Sequence, residues 1–77
     1  MNIIVYSTTT CPYCNMAKAY LKEKGVEFEE IDVSVNQEKG QEMIKKSGQQ
    51  GVPVLDINGT IIIGFNKAKI DEALGLE

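Results

Sequence analysis

Residues 8–16 read TTTCPYCNM and hold both cysteines of the chain, Cys11 and Cys14, with only Pro12 and Tyr13 between them. Two thiols at this spacing can be half of a metal site, a structural staple, or a couple that opens and closes in turnover. The flanking sequence narrows the choice. Upstream, residues 2–7 carry IIVY, rich in the β-branched types that favour a buried strand. Downstream, Pro12 stands at a helix start, Ala17, Tyr20 and Leu21 recur at helical spacing, and Gly25 follows a lysine-rich end. The stretch therefore links a strand to a helix over residues 12–24.

Beyond that helix, residues 27–33 (EFEEIDV) set Phe28, Ile31 and Val33 among acids in imperfect alternation, which predicts a strand with a wet face or edge. Ser34 and Gln37 form a candidate capping box for a second helix within residues 36–48. Met43 and Ile44 are its strong apolar anchors, and Gly40 costs it on the order of 1 kcal/mol relative to alanine. The runs VPVLDI (52–57) and TIIIG (60–64) are separated by Asn58-Gly59, the strongest short-range hairpin signal. Asn66 then caps a last helix with Ile70, Ala73 and Leu74 on one face and Gly75 as its stop.

The order is β-α-β-α-β-β-α. A strand-helix-strand opening calls for a right-handed crossover between parallel strands, and the later hairpin adds antiparallel pairing. The expected fold class is α/β: a mixed four-stranded sheet with three helices on its faces, in one domain over residues 1–77. A chain of this length buries only about 60% of its unfolded surface, so a second domain does not fit.

Composition excludes several functions. With 43% hydrophobic and 25% charged residues the chain falls in the soluble globular class. Its formal charge is −3 and its eight basic residues are scattered lysines, with no block to track a phosphate backbone. Neither nucleic acid nor membrane is an expected partner, and the unit is expected to be a monomer. MNIIVYST lacks a positive n-region and reads as a strand, so the expected location is the cytoplasm. A reducing cytosol leaves little use for a permanent disulfide, and closing so short a loop removes little chain entropy. The chain has no histidine. That removes Cys-His catalysis, and a closed zinc site would need two further ligands.

A CxxC beside a strand-helix-strand pattern reads as a thioredoxin-like redox motif. On a helix, residues i and i+3 share a face with Cβ atoms roughly 5–6 Å apart, somewhat above the approximately 3.8 Å of a disulfide, so a small adjustment at the helix start opens or closes the bond. Unpaired N–H groups and the positive dipole end favour a thiolate at Cys11. The dipole contributes about 0.3–1 kcal/mol when exposed, so larger activation needs direct hydrogen bonds to the sulfur. Lys18 lies two turns from Cys11 and is expected to matter little there. Cys11, at the exposed helix tip, is assigned as attacking nucleophile and Cys14, one turn inside, as the resolving thiol of a redox-active disulfide.

With CPYC at this loop, the chain resembles a glutaredoxin. The likeness runs through VYSTTTCPYC, EEIDV, EMIKKSG, the VP of GVPVLDING, and the glycine and helix of IGFNKAKI. It implies reduction of protein disulfides and glutathione mixed disulfides by a dithiol cycle, with no tightly bound cofactor and glutathione as co-substrate. It also implies that Val52-Pro53 is a cis peptide whose backbone pairs with an extended substrate, whereas the residues alone favour a trans proline opening a strand. Pro12 and Tyr13 then flank the bound disulfide, although a packing or surface role accounts for Tyr13 equally well.

Two departures bear on the reductant. Thr8 stands where many glutaredoxins carry a lysine for the glycyl carboxylate of glutathione. Gly64-Phe65 is followed by Asn66 and Lys67, where an acidic pair is usual for the γ-glutamyl end. The start of the last helix at Asn66 offers N–H groups to a carboxylate, and a simple capping role explains it as well. The GFN segment is similar to small redoxins that feed ribonucleotide reductase and are recharged by thioredoxin reductase. A further alternative is an iron–sulfur cluster carried between two chains. Phe65 is assigned mainly to the core, as are Met16 and Met43.

Overall fold

The computed structural model describes residues 2–75. Its elements are β1 (Ile3–Ser7), α1 (Pro12–Glu23), β2 (Glu29–Asp32), α2 (Gln37–Ser47), β3 (Val54–Ile57), β4 (Thr60–Ile63) and α3 (Lys67–Leu74), in the expected order. The sheet runs β2-β1-β3-β4, with β1 parallel to β2 and antiparallel to β3. β3 and β4 form the predicted hairpin. Asn58 and Gly59 both take positive φ, 53° and 93°, as a tight turn matched to strand twist requires.

Strand alternation divides the apolar residues between two faces. On one face Ile3 and Val5, Leu55 and Ile57, and Ile62 pack against Ala17 and Leu21 of α1 and Ile70 and Leu74 of α3. On the other, Tyr6, Ile31 and Val54 meet Met43 of α2. The imperfect alternation around β2 now has a cause. Phe28 packs with the α1 face while Ile31 and Val33 belong to the α2 face. β2 is indeed an edge, and Glu29 and Glu30 are exposed along it.

Three expectations need correction. The Ser34–Gln37 capping box does not form, because the Asp32 carboxylate takes both the peptide N–H and the hydroxyl of Ser34. Asn36 caps α2 instead, accepting the Lys39 peptide N–H at 3.2 Å. Ile44 is 37% exposed, so Met43 is the buried anchor of α2. The missing apolar contact is replaced by a polar clip: the Tyr6 hydroxyl donates to Glu42 (2.8 Å), and Lys46 donates to the Tyr6 hydroxyl (2.9 Å) and to Asp56 (2.8 Å). Met16 is 48% exposed, because Cys14, Ala17 and Leu21 occupy the inner face of α1 and Met16 falls outside it.

Candidate active site

β1 ends at Ser7, and the chain turns through residues 8–10 into α1. Cys11 caps that helix with an extended backbone (φ −103°, ψ 105°), and its Sγ accepts the Cys14 peptide N–H at 3.1 Å. The first N–H groups of a helix lack intrahelical partners, so the sulfur does what a Ser or Asp oxygen does at an ordinary cap. The same inward turn covers it. Cys11 is 8% exposed, not the open tip expected from its position, while Pro12 and Tyr13 stand out in solvent.

Cys14, one turn inside, is fully buried, and both cysteines are free thiols. Burial pushes its pKa up to about 12, and the hydrogen bond to the Cys11 sulfur adds to the rise. The Thr8 peptide N–H and the Lys18 charge act weakly in the opposite sense. The two thiols are therefore unlike: one sulfur sits against a peptide N–H, and the other holds its proton firmly. Thr8 enters this arrangement through its backbone.

Beneath Cys14 lies a polar group that sequence reasoning missed. Lys18 pairs with Glu30 at 2.6 Å, and Ser7, only 1% exposed, donates to the same carboxylate at 3.5 Å. Strand alternation puts Ser7 and Glu30 on the α1 face. The only signal in the sequence was a serine closing an otherwise apolar strand. Lys18 was weighed against Cys11, yet its charge is felt at Cys14.

Register brings the remaining candidates to this end of the sheet. Tyr6 is paired with Val54, so the preceding Pro53 lies beside the end of β1. The Val52-Pro53 peptide is cis, as the resemblance implied and the residues alone did not. Pro53 is fully buried and Val52 half-buried, and the Pro53 carbonyl accepts the Gly64 N–H at 2.8 Å. Gly64 has φ 78°, a conformation that suits glycine. Phe65 packs on the α1–α3 cluster, edge-on to Tyr20 with ring centroids 5.9 Å apart. Asn66 caps α3, accepting the Lys69 N–H at 3.2 Å. Lys67 lays its ammonium over the rings of Tyr20 and Phe65, at 5.6 and 5.9 Å.

Clefts of about 250 and 400 Å³ run along β2, and neither contains a cysteine. Among the described residues no helix is long and apolar enough to cross a membrane.

Comparison with known proteins matches residues 3–62 to a protein-family model described as Glutaredoxin. The chain is 47% identical over 72 residues to a glutaredoxin-like 8.6 kDa protein in the rubredoxin operon of Clostridium pasteurianum, covering 94% of this chain and 96% of that one. It is 46% identical over 74 residues to glutaredoxin 3 of Escherichia coli K12, covering 96% and 89%. Among solved structures it is similar to the glutaredoxin-like NrdH-redoxin of Escherichia coli, described as having a thioredoxin-like activity profile. That likeness has a TM-score of 0.83 at 26% identity, over 94% of this chain and 93% of the other.

Proposed function

This chain belongs to the glutaredoxin family of thiol–disulfide oxidoreductases, and from that premise we propose that it reduces protein disulfides by a dithiol cycle run by Cys11 and Cys14. The observation that carries the reading is the unlike state of the two sulfurs. Cys11 Sγ accepts a peptide N–H, a donor already aimed where negative charge is needed for attack, while buried Cys14 retains its proton.

In the cycle, the Cys11 thiolate attacks one sulfur of the substrate disulfide. A Cys11–substrate bond forms, the substrate S–S bond breaks, and the departing sulfur takes a proton. Cys14 then loses its proton and attacks Cys11 Sγ. The mixed disulfide breaks, the second substrate sulfur leaves as a thiol, and a Cys11–Cys14 disulfide holds the oxidising equivalents. The Val52 peptide has no hydrogen-bonded partner among the described residues, so its polar groups are available to an extended substrate segment beside the thiols.

Thioredoxin reductase is favoured over glutathione as the source of the two returning electrons. Thr8 supplies no cation for a glycyl carboxylate, and Lys67, held over two aromatic rings, puts a positive charge where the family resemblance implies an acidic pair for the γ-glutamyl end. The test is to trap the intermediate. Cys14→Ser should accumulate a mixed disulfide on Cys11, seen by mass spectrometry, whereas Cys11→Ser should lose all turnover. Full activity of Cys11→Ser would overturn the reading. Recycling by thioredoxin reductase should exceed recycling by glutathione with its reductase, and the reverse order would refute the assignment of the reductant.

A further inference from the structure

The cycle asks two opposite things of one thiol. Cys14 must hold its proton while Cys11 attacks, and must give it up once Cys11 is captured. Burial pushes its pKa up to about 12, and the hydrogen bond and charge of Cys11 push the same way. In the mixed disulfide the Cys11 sulfur carries no negative charge, so that part of the opposition is gone. Acting against burial are then the Thr8 peptide N–H and the charge of Lys18.

Lys18 is placed for this task. It follows Cys14 by four positions on α1, one turn along the same face, with Cβ atoms roughly 5–6 Å apart. From Cys11 it is seven positions and about 10 Å along the axis, near the Debye length at ordinary salt. Its charge therefore distinguishes the two sulfurs. Lysines on a helix ordinarily carry the ammonium out into water. Here the side chain is only 18% exposed, and the 2.6 Å contact with Glu30 holds the ammonium against the sheet. Ser7 adds a second, longer tie to the same carboxylate at 3.5 Å.

No other charge on the neighbouring elements competes for this position. Asp32 shares the α1 face of β2 with Glu30, but its carboxylate is engaged by the peptide N–H and hydroxyl of Ser34. At this end β1 contributes Ser7, and the β3 side contributes Pro53 and Val54, all uncharged. The next lysine on α1, Lys22, lies a further turn away. As a mere brace between helix and sheet edge the pair would contribute little, because Glu30 is 48% exposed.

We propose that Lys18, held by Glu30, is a positioning residue for the second half of the cycle: its charge stabilises the Cys14 thiolate and so sets how fast captured substrate is released, while the first attack by Cys11 proceeds without it. This rests on the dithiol reading above. In the step concerned, Cys14 gives its proton to solvent and its sulfur electron pair forms the Cys11–Cys14 bond. The Cys11–substrate bond breaks, and the substrate sulfur leaves with that bond's pair and takes up a proton. Cys14 is oxidised, the substrate sulfur is reduced, and Cys11 stays in a disulfide throughout.

The two half-reactions separate when reduced protein meets excess dithiodipyridine, an uncharged aromatic disulfide, in a stopped-flow instrument. Attack by Cys11 releases one pyridinethione at a rate proportional to the reagent, and attack by Cys14 releases the second at a rate independent of it. Lys18→Met keeps the apolar stem and removes the charge. It should leave the first phase within about twofold of wild type. The second phase should slow about tenfold near pH 7, with its pH profile displaced about one unit to the alkaline side. Lys18→Arg restores the charge and should recover most of the wild-type rate. A pair that only braces the fold would slow both phases together or lower stability alone, with the profile in place. Equal slowing of both phases, or an undisplaced profile in Lys18→Met, would overturn the assignment. Release of a single pyridinethione by wild-type protein would instead overturn the dithiol reading.

Discussion

The two faces of the sheet are held in different ways. Toward α1 and α3, nine buried residues, Ile3 to Leu74, form a continuous apolar cluster. Toward α2 the buried cluster has four members, and the helix is fastened by the Tyr6–Glu42–Lys46–Asp56 clip. The difference bears on chemistry. The helix that carries the dithiol is seated by close packing, which resists small displacements. On the other face α2 is fastened by hydrogen bonds at the margin of the sheet, each worth only about 1 kcal/mol net.

The sharpest challenge to this contrast is Leu21→Ala, which hollows the α1 face at a fully buried position. It should cost about 3 kcal/mol by chemical denaturation, much of the stability of so small a chain. It should also slow disulfide reduction, because α1 then holds its first turn less firmly. A cost near zero would mean that α1 is not seated by packing.

Next in size is Lys46→Met, which removes the clip from Tyr6 and Asp56 and should cost about 1 kcal/mol while leaving disulfide reduction intact. If it costs as much as Leu21→Ala, the two faces are not held differently. A pH signature accompanies it. Burial raises the Tyr6 pKa above the usual 10.0, and hydrogen bonds to Asp56 and then Tyr6 raise that of Lys46. Both groups hold protons more firmly in the folded chain. Their stabilisation is complete below the ordinary values and is lost as pH rises through the folded ones. Thermal melts should therefore decline at strongly alkaline pH in wild type, and less steeply in Lys46→Met.

The smallest effect is a gain. Gly40 lies inside α2 with room for a methyl group, the nearest atoms being those of Val33 at 3.7 Å. Gly40→Ala should stabilise the protein by about 0.5–1 kcal/mol, with no change in thiol reactivity. A loss would show that α2 sits closer to the sheet than its sparse apolar contacts suggest.

What could be read in advance was local. The strand before Thr8, the helix after Pro12, the hairpin at Asn58-Gly59 and the cap at Asn66 each depend on residues within a turn or a strand length of one another. The position of the dithiol at a helix start followed from them. The cap of α2 was misplaced by two residues because Ser34 and Asn36 are both competent caps, and only the fold commits Ser34 to Asp32.

The sequence by itself determined the order of elements and the place of Cys11 and Cys14 between strand and helix. Tertiary structure alone decided how far Cys11 is covered, which side of α1 Met16 takes, and that Lys18, Glu30 and Ser7 meet beneath Cys14. The last of these rests on contacts between residues 12 and 23 positions apart, Lys18 with Glu30 and Ser7 with Glu30. Periodicity and capping signals act within a few residues, so they carry no record of which distant side chain will arrive.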